Sequence, residues 1–172
     1  MIILYIIIGI VTLVFLAALF SKKNHYVKRE IVIQAPLQKV FDYIRFLQNQ
    51  ESFNTNSMED VTREKSFQGN DGTVGYIYAW KGNKDAGEGE KEILAIDADK
   101  SLEMEIRFVK PMKATARIIM ETESLSVNET KLSWSNAGSL PVPINLFIPK
   151  MRKHVAKDME KSLLILKSLL EK

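Results

Sequence analysis

At 172 residues the chain is long enough for one domain with a substantial core, and 46% apolar with 26% charged residues excludes extended disorder. It contains no cysteine and only two histidines, His25 and His154. Disulfide frameworks, thiolate metal sites and thiol nucleophiles are therefore excluded, and little is left for an imidazole metal site. The net charge of +3 is too small to point to nucleic acid, so no nucleic-acid partner, metal or cofactor is expected.

The first segment in chain order is "MIILYIIIGIVTLVFLAALF" (1–20), which carries no charged side chain. Twenty helical residues span roughly 30 Å, the thickness of a bilayer's hydrocarbon core. A cleavable signal peptide would want a basic n-region, a shorter apolar stretch and a small-x-small cleavage site. No basic residue precedes the run, and "LAALFSKK" is a poor cleavage site, so an uncleaved transmembrane anchor is expected. Lys22, Lys23, Lys28 and Arg29 follow it directly. Positive charge stays inside, which directs the rest of the chain to the cytoplasmic face of the cell (inner) membrane. Residues 21–25 then read as a juxtamembrane linker and 26–172 as the soluble domain.

"YVKREIVIQAP" (26–36) alternates as a strand, and Pro36 suits the first turn of a helix. Leu37, Val40, Phe41, Ile44 and Leu47 recur at helical spacing, followed by a polar, Asn-rich stretch over 48–58 that suits a short helix or loop. Strands are predicted over 59–67, 73–81, 87–97, 101–109, 113–125 and 129–137, separated by "GNDG", "KGNKDAG", "DADK", Pro111 and "VNET". Strands so closely spaced make a curved antiparallel sheet rather than βαβ units. After the proline-stiffened "PVPINLFIP", a helix runs from Asn145 to the end, with Ile148, Met151, Val155, Met159, Leu163, Leu166 and Leu170 in one apolar stripe.

The order is strand, helix pair, six strands and a long closing helix. With "IVIQAPLQKVFDYI", the "DGTVGYIYAW…GEGEKEI" hairpin, "LEMEIRF" and "TKLSWSNAG", residues 26–172 resemble the SRPBCC/START-like helix-grip superfamily, in its polyketide cyclase/dehydrase-like branch. The resemblance implies an α+β helix-grip fold, with a curved seven-stranded antiparallel sheet wrapped around the C-terminal helix. It also implies a cavity for a hydrophobic ligand, and it identifies no reaction. Members of that branch often carry a tryptophan shortly after the first helix; this chain reads "ESFNTNSMED", with Phe53 in its place.

Period-two alternation assigns faces. Leu102, Met104, Ile106 and Phe108 oppose Glu103, Glu105 and Arg107, which fixes the inner side. Ala114, Ala116, Ile118 and Met120, then Leu132, Trp134 and Asn136, follow inward, as do Val74, Tyr76, Tyr78 and Trp80. The three rings of "YIYAW" suit ordinary core. The small Ala114 and Ala116, the polar Asn136 and tyrosine hydroxyls that need partners suit a pocket instead. Tyr76, Tyr78, Trp80, Met104, Phe108, Met120, Trp134, Asn136 and Met151 are the expected lining, with the turn after Trp80 as a candidate rim.

Catalytic signals are sparse. Glu88, Glu90 and Glu92 share a face with Leu94 and Ile96, so either a bulge resets the register or a carboxylate looks inward. An inward Glu90 would be a general-base candidate, as would His154 on the last helix; the bland alternatives are a solvated ladder and a helix surface. Lys150, Lys153 and Lys157 recur opposite the apolar stripe, either as a solvated face or as a contact to anionic headgroups. The expected function is membrane-tethered binding of a small hydrophobic or amphipathic ligand, lipid- or isoprenoid-like. The alternatives are a polyketide cyclase/dehydratase-like enzyme and a partner-binding stress-response module with a filled core.

Overall fold

The computed structural model describes every residue except 59–61 and 84–86 and the side chain of Asn56. The start of the strand expected over 59–67 and the middle of the turn after Trp80 lie outside the described residues. Helix α1 (Ile2–Phe20) stands exposed along almost its whole length, with only Ala18 buried. By length and composition it could cross a membrane. Strand β1 (Asn24–Ile33) begins four residues after it, so His25 belongs to the sheet and not to the linker that the sequence suggested.

Helices α2 (Leu37–Arg45) and α3 (Thr55–Met58) flank a 3-10 turn at Asn49–Ser52. Strands β2 (Glu64–Gln68), β3 (Ile77–Lys81), β4 (Glu88–Asp97), β5 (Ser101–Lys110), β6 (Ala114–Ser126) and β7 (Glu129–Ser139) follow, and α4 (Ile148–Leu170) closes the chain. All seven strands form one antiparallel sheet in the order β1-β7-β6-β5-β4-β3-β2. The concave face takes α4, whose predicted stripe packs there: Met159, Leu163, Leu166 and Leu170 are buried in the core with Phe41, Phe53, Leu132 and Trp134. Lys39 of α2 donates to Leu170 O (2.7 Å), setting a cation at the C-terminal end of α4 where the helix dipole favours it.

The glutamate ladder is resolved by a bulge. Ile93 opposes Met104 and Ala95 opposes Glu103, which leaves Leu94 as the extra residue and turns Ile96 back to the inner side opposite Leu102. Ahead of it Gly89, Lys91 and Ile93 face inward, while Glu88, Glu90 and Glu92 face out. Outside, Arg107 binds Glu90, Glu92 and Glu105 at 2.7, 2.6 and 2.8 Å, tying β4 to β5. β3 is shorter than expected. It starts at Ile77, because Gly75 (φ +84°) ends a turn before it, and Val74 is left 61% exposed rather than inward.

Candidate functional site

Between sheet and α4 lies a cavity of about 300 Å³. Its sheet wall is Ile106 and Phe108 of β5, Ala114, Ala116 and Ile118 of β6, and Trp134 and Asn136 of β7. Its helix wall is Met151, Val155, Asp158, Met159 and Ser162, spaced by three and four residues along one line of α4. The two alanines leave the room that larger side chains would fill. Gly138 does the same for His25: a Cβ there would stand 2.7 Å from the imidazole and 2.7 Å from Thr115 O.

The cavity has a closed polar end and an open apolar one. Asn54, Trp134, Asp158 and Ser162 are buried at the first. The backbone N–H of Thr55 donates to Ser162 Oγ (3.1 Å), which pins α3 over that end. Phe108, Pro111, Met112 and Ser139 stand at the second, and Phe108 remains 37% exposed. Midway, His25 Nε2–H donates to Asn136 Oδ1 (2.9 Å), which fixes the imidazole tautomer; His25 Nδ1 and Trp134 Nε1 are enclosed without a protein partner. Asp158 Oδ2 lies 3.1 Å from Nε2 of His154, whose own side chain is 72% exposed.

The open end adjoins the base of α1. Leu140, a lining residue, donates its N–H to Lys23 O (2.9 Å), and Lys23 and Asn24 edge a surface depression contiguous with the mouth. Buried Asn145 donates from Nδ2 to Ala18 O (2.7 Å), which also accepts from the Ser21 N–H, and to Ser21 O (3.3 Å), tying the end of α1 to the domain. His25, five residues beyond Phe20, can lie no more than about 18 Å along the chain from the end of α1.

Of the residues expected to line a pocket, Phe108, Trp134, Asn136 and Met151 do so here. Tyr76, Tyr78, Trp80, Met104 and Met120 do not line this cavity and belong to the packed core. Their polar groups show why: Gln48 Nε2 donates to Tyr76 Oη (3.1 Å), and Tyr78 Oη donates to Glu51. The 3-10 turn and its neighbours supply the partners that a ligand or water would otherwise have to supply. Glu90 is engaged with Arg107 on the outer face and His154 stands outside the cavity, so neither is placed for inward acid–base chemistry. The sequence reading missed His25, Asn54, Asp158 and Ser162. Asp158 alone carried a usable signal, since it interrupts the apolar stripe of α4 on its inner side.

A second polar cluster lies under β3 and β4. Buried Lys91 donates to Gln50 Oε1 (2.9 Å), and Gln50 donates onward to Ile44 O (3.0 Å). Glu51 gathers Arg63 (2.8 Å), Lys65 and Tyr78. Burial pulls the Lys91 amine down to about 8, with the Arg63 charge adding and Glu51 opposing. Burial and the Glu51 carboxylate push the Tyr78 hydroxyl up. Among the described residues no group of three or more His, Asp or Glu is placed to hold a metal ion.

A sheet gripping a long helix around an apolar cavity with a few polar groups defines a helix-grip domain of the kind that binds hydrophobic ligands. The chain belongs to the family described as polyketide cyclase / dehydrase and lipid transport, whose model matches residues 24–171. No curated protein matches it. Among solved structures it is similar to norcoclaurine synthase from Thalictrum flavum in complex with dopamine and hydroxybenzaldehyde (12% identity, 90% of this chain and 91% of that one, TM-score 0.64). It is also similar to protein MLL2253 from Mesorhizobium loti (15%, 86% and 97%, 0.64) and to the Aha1 dimer from Colwellia psychrerythraea (16%, 86% and 96%, 0.60). At such identities the likeness establishes the SRPBCC, START-like fold and no activity.

Proposed function

We propose that the chain is a membrane-tethered binding protein for a small hydrophobic or amphipathic ligand, lipid- or isoprenoid-like, held between sheet and α4. The observation that carries this reading is the cavity itself: apolar walls, a polar closed end, and a mouth beside the base of α1. With α1 in the inner membrane and the domain on its cytoplasmic side, Lys22 and Lys23 lie next to the headgroups, and exposed Lys150, Lys153 and Lys157 at the start of α4 join them. A ligand dissolved in the bilayer then meets the mouth at high local concentration. A volume of about 300 Å³ holds about ten water-sized groups, which suits one short chain or a small ring system. The complex of norcoclaurine synthase, itself a helix-grip protein, with two small aromatic molecules supports the use of this fold for ligands of that size.

Mass spectrometry of organic extracts from the purified full chain, with binding to a panel of short-chain lipids and isoprenoids, tests the reading; no co-purifying molecule and no binding would sink it. Ala116→Phe is expected to weaken binding at least about tenfold by filling the cavity, with little loss of stability. In a filled interior the same ring would cost about 1–3 kcal/mol, which thermal unfolding would detect. Orientation is tested separately, since the chain has no cysteine of its own. A single cysteine at Ser168, exposed on α4, is expected to resist an impermeant maleimide in intact cells and to react after permeabilisation. Labelling in intact cells would place the domain outside.

A further inference from the structure

The cavity's charge is one-sided. Among the described residues Asp158 is the one acidic or basic side chain, histidine aside, in its wall; no described lysine or arginine lines it, although the chain carries 24 of them. Asp158 sits on the inner line of α4 between Val155 and Ser162, at a position that an ordinary core would fill with an aliphatic residue, and it is buried. His154 Nε2 reaches Asp158 Oδ2 at 3.1 Å from the exposed side of the helix. Two other acceptors in the wall are engaged: Ser162 Oγ by the Thr55 N–H, and Asn136 Oδ1 by His25. An anionic head drawn into this space would stand beside a carboxylate in apolar surroundings, with no lysine or arginine among the described lining residues to balance it. A donor, by contrast, would find in Asp158 an acceptor strengthened by the low local dielectric.

We infer that the cavity selects amphiphiles whose polar end donates a hydrogen bond and carries no negative charge, an amine or a hydroxyl, and that Asp158 is the residue that makes this selection. The inference rests on the ligand-binding reading above. The head lies at the closed end and the chain runs out past Ile106, Phe108 and Met151 toward the mouth. Free fatty acids and phosphorylated chains are rejected, even though lysines outside the cavity would attract them.

The test uses the full chain in phosphatidylcholine nanodiscs and three probes of matched chain length: decan-1-amine, decan-1-ol and decanoate. Affinities are read from the concentration dependence of the thermal midpoint. The amine is expected to bind at least about tenfold more tightly than decanoate, with the alcohol between them, as for a hydrogen bond to a charged acceptor. In Asp158→Asn the amine-to-decanoate ratio is expected to fall about tenfold; comparing ratios in the same discs cancels partitioning into the lipid. His154→Ala leaves Asp158 in place and is expected to keep the preference. Decanoate binding as well as the amine to the unsubstituted chain, an unchanged ratio in Asp158→Asn, or loss of the preference in His154→Ala would overturn the inference while leaving the binding reading intact. Failure of all three probes to bind would instead remove the binding reading on which it rests.

Discussion

Replacing Glu51 with alanine is expected to destabilise the fold by about 3 kcal/mol, the low end of what breaking a buried ion pair costs, because Glu51 keeps some contact with water. The loss comes from the groups left behind. The Arg63 side chain is 4% exposed, and its guanidinium loses the Glu51 carboxylate; Tyr78 Oη loses its acceptor and Lys65 its partner. Chemical denaturation of the full chain in nonionic micelles reads the difference, and a change below about 0.5 kcal/mol would mean that water replaces the carboxylate. The same variant changes the acid limb. Burial raises the Glu51 carboxyl, but hydrogen bonds from Lys65, Tyr78 and Arg63 outweigh it and leave the group below 4.5. A carboxylate lowered on folding contributes stability that is present above 4.5 and lost as pH falls through the folded value. Glu51→Ala should therefore flatten that part of the stability profile.

Lys91 is expected to act at the other end of the pH scale, and its replacement to stabilise rather than destabilise. Its amine falls to about 8 in the folded protein from an ordinary 10.5, chiefly because it is buried. As pH rises, the folded chain gives up this proton before the unfolded chain does, so stability increases between about 8 and 10.5, by up to about 3 kcal/mol. Lys91→Met should abolish that alkaline gain and be the more stable protein at pH 7, since Gln50 keeps its bond to Ile44 O. A methionine variant less stable than the parent at pH 7 would show instead that the bond to Gln50 outweighs the cost of the buried charge. Glu51 and Lys91 share Arg63 as a neighbour, so the double substitution should deviate from additivity.

The two residues also mark where sequence reading stopped. Alternation assigned the faces of β5, β6 and β7 correctly, because the apolar side of each strand packs toward α4; on β7 the serines of the other face, Ser133 and Ser135, are buried too. It also posed the question of the glutamate ladder in a form that the Leu94 bulge answers. It could not place Lys91 inside, because a lysine between glutamates reads as solvated until Gln50, forty-one residues earlier, is known to meet it. Tyr76, Tyr78 and Trp80 turn inward as expected, but they pack in the core and do not line the cavity beside Asp158. Whether an inward ring faces a void or a neighbour depends on the turn at Asn49–Ser52, and no local pattern reports that contact.

By itself, then, the sequence determined the apolar helix at the front, the order of elements, the inner face of most strands and the stripe on which α4 docks. These follow from periodicity and composition, which are properties of a few adjacent residues. The tertiary structure decided the rest: that a cavity lies behind Ala114 and Ala116, that its polar end is Asp158 with Asn54 and Ser162, and that its mouth adjoins α1. Each of these depends on side chains brought together from distant parts of the chain, His25 with Asn136 and Thr55 with Ser162 among them. A cavity is the volume left between such partners, and its position exists only once they have met.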